Sequence, residues 1–136
     1  MTLNEWAARA LEITTRKGFH DTEKQLESAL AGDDALVKEA AALQTARRLA
    51  LVHSEVSEAL EACRKGKRAD LATFKSDGET KESFEKHIKD SFEDELADAV
   101  IRLLELAACE NIDIETHVRL KMEYNAARPY KFGKAY

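Results

Sequence analysis

The stretch Glu95-Leu96-Ala97-Asp98 opens an apolar run that extends to Cys109, in which only Asp98, Arg102 and Glu105 are charged. A helix this apolar is usually buried, and a buried carboxylate has to be paired, protonated or bound to a metal ion. Glu95 and Asp98 are three residues apart, so on a helix they share one face about a turn apart. The stretch therefore predicts a buried helix that carries two carboxylates on one face.

The same spacing occurs upstream in Glu55-Val56-Ser57-Glu58, where the glutamates have apolar residues above and below them. The main apolar stripe of this segment consists of Leu49, Val52, Val56, Ala59, Leu60 and Cys63. Two such helices packed antiparallel would gather four carboxylates around one small volume, where the negative charge is stable only with cations. Hard divalent cations prefer carboxylate oxygen, and magnesium borrows further ligands from phosphates. We therefore expect Glu55, Glu58, Glu95 and Asp98 to bind Mg²⁺, with Mn²⁺ as a substitute.

Composition indicates one all-α domain over residues 1–136, since the chain has one Pro, five Gly and 35% charged residues. Thr2 to Glu5 reads as a capping box for a helix through about Lys17, and Asp113 caps a last helix through about Ala127. A long helical pattern ends near Lys65. It predicts one helix from about Leu43 onward, and the part before Leu43 could be a separate segment. Residues 66–80 are predicted to be a mobile loop within an insert over about 66–90.

Net charge and cysteine content narrow the class of protein further. The formal charge of −5 argues against nucleic-acid binding by the whole surface. Cys63 and Cys109 lack metal-ligand spacing and are expected to be free, buried thiols. No apolar run reaches membrane-spanning length, so we expect a cytoplasmic protein without a membrane partner.

The last helix carries a complementary positive charge. Lys121, Asn125 and Arg128 are spaced by four and three residues, so they share one face. Residues 119–136 hold five cations, Lys134 among them, against Glu123 alone. A solvated helix end is the commoner interpretation of such a triplet. Beside a magnesium site, the same triplet becomes a candidate triphosphate clamp.

Aromatic residues are the candidates for recognition of a nucleobase. Trp6, Phe19 and Tyr124 could stack on a base, and His20 could form a hydrogen bond with one. Trp6 also belongs to the predicted inner stripe of its helix, and on that ground we expect a core role for it before a binding role.

Two other interpretations of the carboxylates compete with a magnesium site. Asp98 and Glu105 lie four residues before and three residues after Arg102, so this strip could consist of structural ion pairs. A ferritin-like di-iron site needs a Glu three residues before a His. No His of this sequence has one, which excludes that site.

The order of these motifs resembles the MazG-like all-α nucleoside triphosphate pyrophosphohydrolases. The resemblance rests on Glu55-x-x-Glu58 with its flanks Leu51 to Glu61, on Glu95-x-x-Asp98 with its flank through Arg102, and on Lys121 to Pro129. Trp6 and Lys17-Gly18-Phe19 also match the shorter members. The sequence departs from the family pattern in two places. The 36 residues between Glu58 and Glu95 form a longer connection than the family usually has, and Ser54 stands where many members have a carboxylate.

The resemblance implies a four-helix bundle that is completed by dimerisation, often as a dimer of dimers. It implies Mg²⁺ held by the four carboxylates and hydrolysis of nucleoside triphosphates to the monophosphate and pyrophosphate. Lys121, Asn125 and Arg128 would then bind the phosphates. A phosphoribosyl-ATP pyrophosphohydrolase is a related alternative, although the tail from Arg128 to Lys134 favours the MazG-like side. A catalytically silent helical oligomer that binds nucleotides or a protein is an alternative from another class.

Overall fold

The computed structural model describes the backbone of residues 1–133 and the side chains of residues 1–131, and all regular secondary structure in this part of the chain is helical. Lys134, a member of the predicted basic tail, lies outside the described residues. The seven α-helices of the described part are α1 (Leu3–Arg16), α2 (Asp21–Ala29), α3 (Asp34–Arg64), α4 (Leu71–Ser76), α5 (Lys81–His87), α6 (Phe92–Cys109) and α7 (Ile114–Ala126). A 3₁₀ turn over Tyr130–Gly133 follows them.

The helices begin where the sequence supplies a capping side chain. The capping box of α1 is confirmed: the Thr2 hydroxyl accepts from the Glu5 backbone N–H, and Glu5 accepts from that of Thr2. The Ser91 hydroxyl caps α6 by accepting from the Asp94 backbone N–H, and the Asp113 carboxylate caps α7 by accepting from that of Thr116. The predicted Asp113 cap is confirmed, and the Ser91 cap fixes where the carboxylates of α6 begin.

Two parts of the chain are more regular than the sequence indicates. Helix α3 is continuous over 31 residues, so it begins well before Leu43. The prediction of a mobile loop over 66–80 is wrong in part, because Asp70 caps the short helix α4. Phe74 of α4 meets Phe84 of α5 edge to face, with ring centroids 6.0 Å apart. The insert therefore has a small apolar contact of its own.

The core forms where α6 packs against α3 on one side and against α1 on the other. Contacts of Thr45 with Glu110 and of Glu55 with Arg102 show that α3 and α6 run antiparallel. Among residues 1–131, the buried apolar residues are all alanines: Ala7, Ala10, Ala59, Ala62, Ala99 and Ala107. Small side chains allow close approach of the helix backbones. The larger apolar side chains lie outside these contacts.

Most of the predicted apolar stripe of α3 is therefore not buried within the chain. Ala59 is buried, but Leu49, Val56, Leu60 and Cys63 are exposed. Leu96, Val100 and Leu103 of α6 are exposed as well. Because the helices are antiparallel, residues one position after Glu55 and Glu95 turn to the same side of the pair. We call Leu49, Val56, Leu60, Leu96, Val100 and Leu103 the apolar face; these residues are each 43–52% exposed.

Two further sequence predictions are corrected by the exposure of single residues. Trp6 is 51% exposed, so the core role expected for it is wrong within one chain. Cys63 is exposed rather than buried, whereas Cys109 is half-buried, and both thiols are free as predicted. None of the helices in the described residues combines the length and apolar character required to cross a bilayer.

Candidate metal centre and the adjoining cavity

The predicted convergence of carboxylates occurs where α3 passes the first turn of α6. Oxygen atoms of Glu55, Glu58 and Glu95 all lie within 4.8 Å of one another. Glu55 and Glu95 are buried, and Glu58 is exposed at the edge of the cluster. Asp98 lies one turn along α6 from Glu95 and is exposed. The helix periodicity that predicts the cluster therefore places three of the four carboxylates together, with the fourth beside them.

Glu95 is the member whose environment is most unusual. Its residue is only 6% exposed, and within residues 1–131 its carboxylate has no hydrogen-bond donor or cationic partner. Burial, and then the negative charges of Glu58 and Asp98, raise the pKa of Glu95 above its ordinary value. A carboxylate without a partner in the chain is available to a cation from outside it.

Asp98 shares part of this electrostatic environment. Partial burial, followed by the charges of Asp94 and Glu55, raises the pKa of Asp98, although Arg102 opposes the shift. Asp90 and Asp94 also approach Glu95, with oxygen atoms within 4.8 Å of one another. Asp94 accepts a hydrogen bond from the Asp90 backbone, 2.9 Å long. The acidic cluster thus extends from Glu55 towards the end of the insert.

The ion pairs of α6 differ from those that the sequence predicts. Helix spacing pairs Arg102 with Asp98 and Glu105 along its own helix, but in the structure its Nε donates to Glu55 of α3. One cluster carboxylate is therefore neutralised by an arginine, whereas Glu95 is not. The interpretation of Asp98, Arg102 and Glu105 as ion pairs within α6 is therefore wrong, because Arg102 pairs with Glu55 of α3.

Glu105 belongs instead to a buried polar network that the sequence does not reveal. Its Oε1 accepts from the Thr14 hydroxyl at 2.6 Å and lies 2.8 Å from His20 Nε2. His20 Nδ1 lies 3.0 Å from Glu23, which also binds Arg48. The sequence makes His20 a candidate for hydrogen bonding with a nucleobase, but both of its ring nitrogens have partners within the chain.

A cavity of about 260 Å³ connects this network with the acidic cluster. Glu55 and Asp98 line one end of it, and His20 and Glu105 line another part. Arg47, Arg48 and Arg102 also line the cavity. The cavity therefore places three guanidinium groups beside the carboxylates, a juxtaposition that can receive an anion next to a cation.

Phe19 is the predicted aromatic residue that the structure brings to this cavity. It lines the cavity and is 72% exposed, so its ring is accessible to a ligand. Trp6 lies on α1 outside the residues that line the cavity. Of the two, only Phe19 has the position that stacking on a bound base requires.

The predicted phosphate clamp forms a cluster of its own at the end of α7. The Lys121 ammonium lies 4.9 Å and the Arg128 guanidinium 5.8 Å from the centre of the Tyr124 ring. Asn125 Oδ1 is buried without a hydrogen-bond partner in the described residues. Helix α7 packs against α1. Within residues 1–131, neither Lys121 nor Asn125 makes a hydrogen bond or ion pair with the four carboxylates.

The insert is tied to the start of α6 close to the acidic cluster. Arg68 pairs with Glu93 at 3.2 Å, and its guanidinium lies 4.3 Å from the centre of the Phe92 ring. Glu93 also accepts from the Ala69 backbone at 2.9 Å. These contacts fix the segment that enters α6 immediately before Glu95.

The donor set of the cluster suits a hard divalent cation, because it consists only of carboxylate oxygens and one of them is buried without a partner in the described chain. Neither a known family, nor a curated protein, nor a solved structure gives a match to this chain. Its function is therefore argued from its own residues and their geometry.

Proposed function

We propose that the protein is a Mg²⁺-dependent nucleoside triphosphate pyrophosphohydrolase of the MazG-like kind. The observation that carries the proposal is Glu95, a residue only 6% exposed, whose carboxylate has no partner among the described residues and lies within 4.8 Å of Glu55 and Glu58 oxygens. The cavity next to it, lined by arginines, supports a phosphorylated substrate rather than a purely structural ion. Removal of non-standard or surplus nucleotides in the cytoplasm is the role that fits such an activity.

The four carboxylates have distinct positions in this proposal. Glu55, Glu58 and Glu95 hold the ion, and Asp98 completes the acidic lining one turn further along α6. A bound Mg²⁺ or Mn²⁺ supplies neutralisation of phosphate charge and a more acidic water. Phe19 offers an exposed ring at the cavity for the base. Trp6 and Tyr124 do not line the cavity of a single chain, and they remain proposed binding residues.

Lys121, Asn125 and Arg128 remain the proposed phosphate clamp. Their cluster with Tyr124 lies on α7, so in this proposal it reaches a phosphate chain through the assembly of two copies. The arginines that line the cavity contribute the remaining positive charge.

Assembly of two copies is part of the same proposal. The chain exposes 10069 Å², whereas a folded monomer of 15.3 kDa exposes about 7,100 Å². The excess exceeds the roughly 800 Å² that each partner buries in a standard interface and reaches the range of obligate dimers. The apolar face of one copy would cover that of the second and produce a four-helix bundle from α3 and α6. A dimer of dimers is the larger form of this arrangement.

One observation supports the competing, catalytically silent interpretation. Arg102 neutralises Glu55, as it would in a structural ion pair. A silent nucleotide-binding or protein-binding oligomer would retain the same cavity and the same apolar face. A phosphoribosyl-ATP pyrophosphohydrolase would retain the carboxylates and differ in substrate.

Substitution of Glu58 by Gln distinguishes these interpretations. Glu58 is exposed, so the change leaves the fold intact but removes one proposed ligand. We expect pyrophosphate release from a panel of canonical and modified triphosphates to fall by about a hundredfold or more, and EDTA to abolish it in the wild type. Glu61→Gln is the matched control, because Glu61 is an exposed glutamate of α3 paired with Lys65. Unchanged release in Glu58→Gln would contradict the four-carboxylate site, and no release with any substrate would favour the silent oligomer.

A further inference from the structure

We infer that Arg102 alternates between Glu55 and the substrate: ion binding at Glu55 releases the Arg102 guanidinium from that carboxylate to a phosphate in the cavity. The inference rests on the proposed function, because it assigns a role in that site. It gives Arg102 two successive partners, and the structure shows the first of them.

The position of Arg102 sets it apart from the other two arginines of the cavity. Arg48 is largely buried and bound to Glu23, and the Arg47 guanidinium lies 3.9 Å from the same carboxylate. Glu23 in turn belongs to the His20 network. Arg102 is the cavity arginine whose described partner, Glu55, is a proposed metal ligand.

Charge explains why the pair would open when an ion binds. A dication held by Glu55, Glu58 and Glu95 lies beside a carboxylate whose Oε1 already accepts from a guanidinium. The two cations repel each other at this short range. Since Glu95 has no partner to lose within the described residues, release of Arg102 is the change there that relieves the conflict.

The cavity provides the second partner for the released side chain. The Arg102 side chain is 36% exposed and sits on α6 one turn after Asp98, so it can reorient without unfolding the helix. A planar guanidinium forms paired hydrogen bonds with phosphate oxygens. A phosphate chain that enters beside the ion could therefore bind the Arg102 guanidinium once Glu55 has released it. Ion binding would precede productive phosphate binding for this reason.

The inference is tested by following the Arg102 Nε–H group directly. We expect its ¹⁵N-NMR signal, assigned by its loss in Arg102→Lys, to move when Mg²⁺ is added. Addition of inorganic triphosphate should then move the signal again, to the position of a hydrogen-bonded guanidinium. The Arg47 signal should keep its position during the Mg²⁺ addition and serves as the internal control.

Ion affinity supplies an independent measurement. We expect Arg102→Gln to bind Mn²⁺ about tenfold more tightly than the wild type, because the competitor for Glu55 is gone. The same variant should bind inorganic triphosphate in the presence of Mg²⁺ more weakly. Arg47→Gln removes the same charge from the cavity and should change Mn²⁺ affinity by about twofold at most.

The two levels of the proposal fail in different ways. If Mn²⁺ binds but the Arg102 signal stays in place at saturation, Arg102 merely orients Glu55 and the alternation is wrong while the metal site survives. Equal Mn²⁺ affinity in the wild type and Arg102→Gln would likewise contradict the alternation alone. If neither protein binds Mn²⁺ or Mg²⁺, the proposed function fails and the inference fails with it.

Discussion

Glu95 is the residue that distinguishes a binding site from a structural ion pair in the acidic cluster. Glu55 also lies in the acidic cluster, but it is paired with Arg102, whereas Glu95 is buried without a partner in the described residues. The pKa of Glu95 is raised by burial and by neighbouring carboxylates. Between the ordinary pKa and this raised value, the folded chain binds more protons than the unfolded chain. The stability of the ion-free protein therefore falls as pH rises through that interval and stays lowered at neutral pH.

Glu95→Gln should consequently stabilise the ion-free protein. We expect the free energy of unfolding, measured by urea denaturation at pH 7 in EDTA, to rise by about 1 kcal/mol, because an amide carries no charge to desolvate. Glu39→Gln, at an exposed position of α3, should change it by less than about 0.5 kcal/mol.

Addition of Mg²⁺ should reverse the order of stability of the wild type and Glu95→Gln. At about a hundredfold excess over its dissociation constant, the ion stabilises the wild type by about 2.7 kcal/mol, and the variant should lack this gain. A loss of stability in EDTA for Glu95→Gln would mean that Glu95 has a structural partner after all.

Features within single helices can be predicted from the sequence. Caps such as Thr2, Ser91 and Asp113 depend on residues three positions away, so local sequence is sufficient to predict them. The carboxylate pairs are predictable for the same reason, since helix periodicity alone puts Glu55 beside Glu58. Their meeting with Glu95 requires the further assumption of antiparallel packing, which the structure confirms.

Other features depend on contacts that hydrophobicity does not specify. Val56 and Leu60 are more apolar than Glu55 and Ala62, yet Glu55 and Ala62 are the buried residues, because alanines allow the closest helix approach. The His20–Glu105 hydrogen bond joins residues 85 positions apart. No local pattern relates such residues, and only the packing of α1 and α6 brings them together.

The junction of α1 and α7 gives a prediction at the level of helices. The Asn4 amide donates to Asp113 at 2.7 Å, and this bond, followed by those from Thr116, lowers the pKa of Asp113 to about 2. The stability that this carboxylate contributes is present above its unfolded pKa and is lost as pH falls through about 2.

Asn4→Ala should raise the pKa of Asp113 towards the ordinary value of 3.8, because the largest cause of the shift is removed. The carboxyl ¹³C resonance of Asp113, followed by NMR during an acid titration, measures the change. Gln25→Ala removes an exposed amide from α2 and should leave this pKa where it is. A pKa that stays near 2 in Asn4→Ala would show that the α7 cap does not depend on α1.

The molecule leaves more apolar surface exposed than it buries in its own core of alanines. Six alanines form the buried apolar core of the described residues, while leucines and valines of α3 and α6 remain outside it. A hydrophobic core built only from alanines contributes little burial, since each such side chain has one methyl group. The larger residues contribute their burial free energy only when another surface covers them. The second copy of the chain is the partner that the matching apolar faces of α3 and α6 favour.

Val100→Asp tests this assembly, because Val100 lies on the apolar face and is among its most exposed residues. We expect the wild type to sediment at a multiple of 15.3 kDa and the variant at one chain mass at micromolar concentration. A dimer would bury two uncompensated carboxylates in the variant, which should weaken association by about a hundredfold or more. Ala97→Asp adds the same charge to an exposed position of α6 outside the apolar face and should leave the assembly intact. Circular dichroism distinguishes dissociation from unfolding, and a wild type that sediments at one chain mass would contradict the dimer.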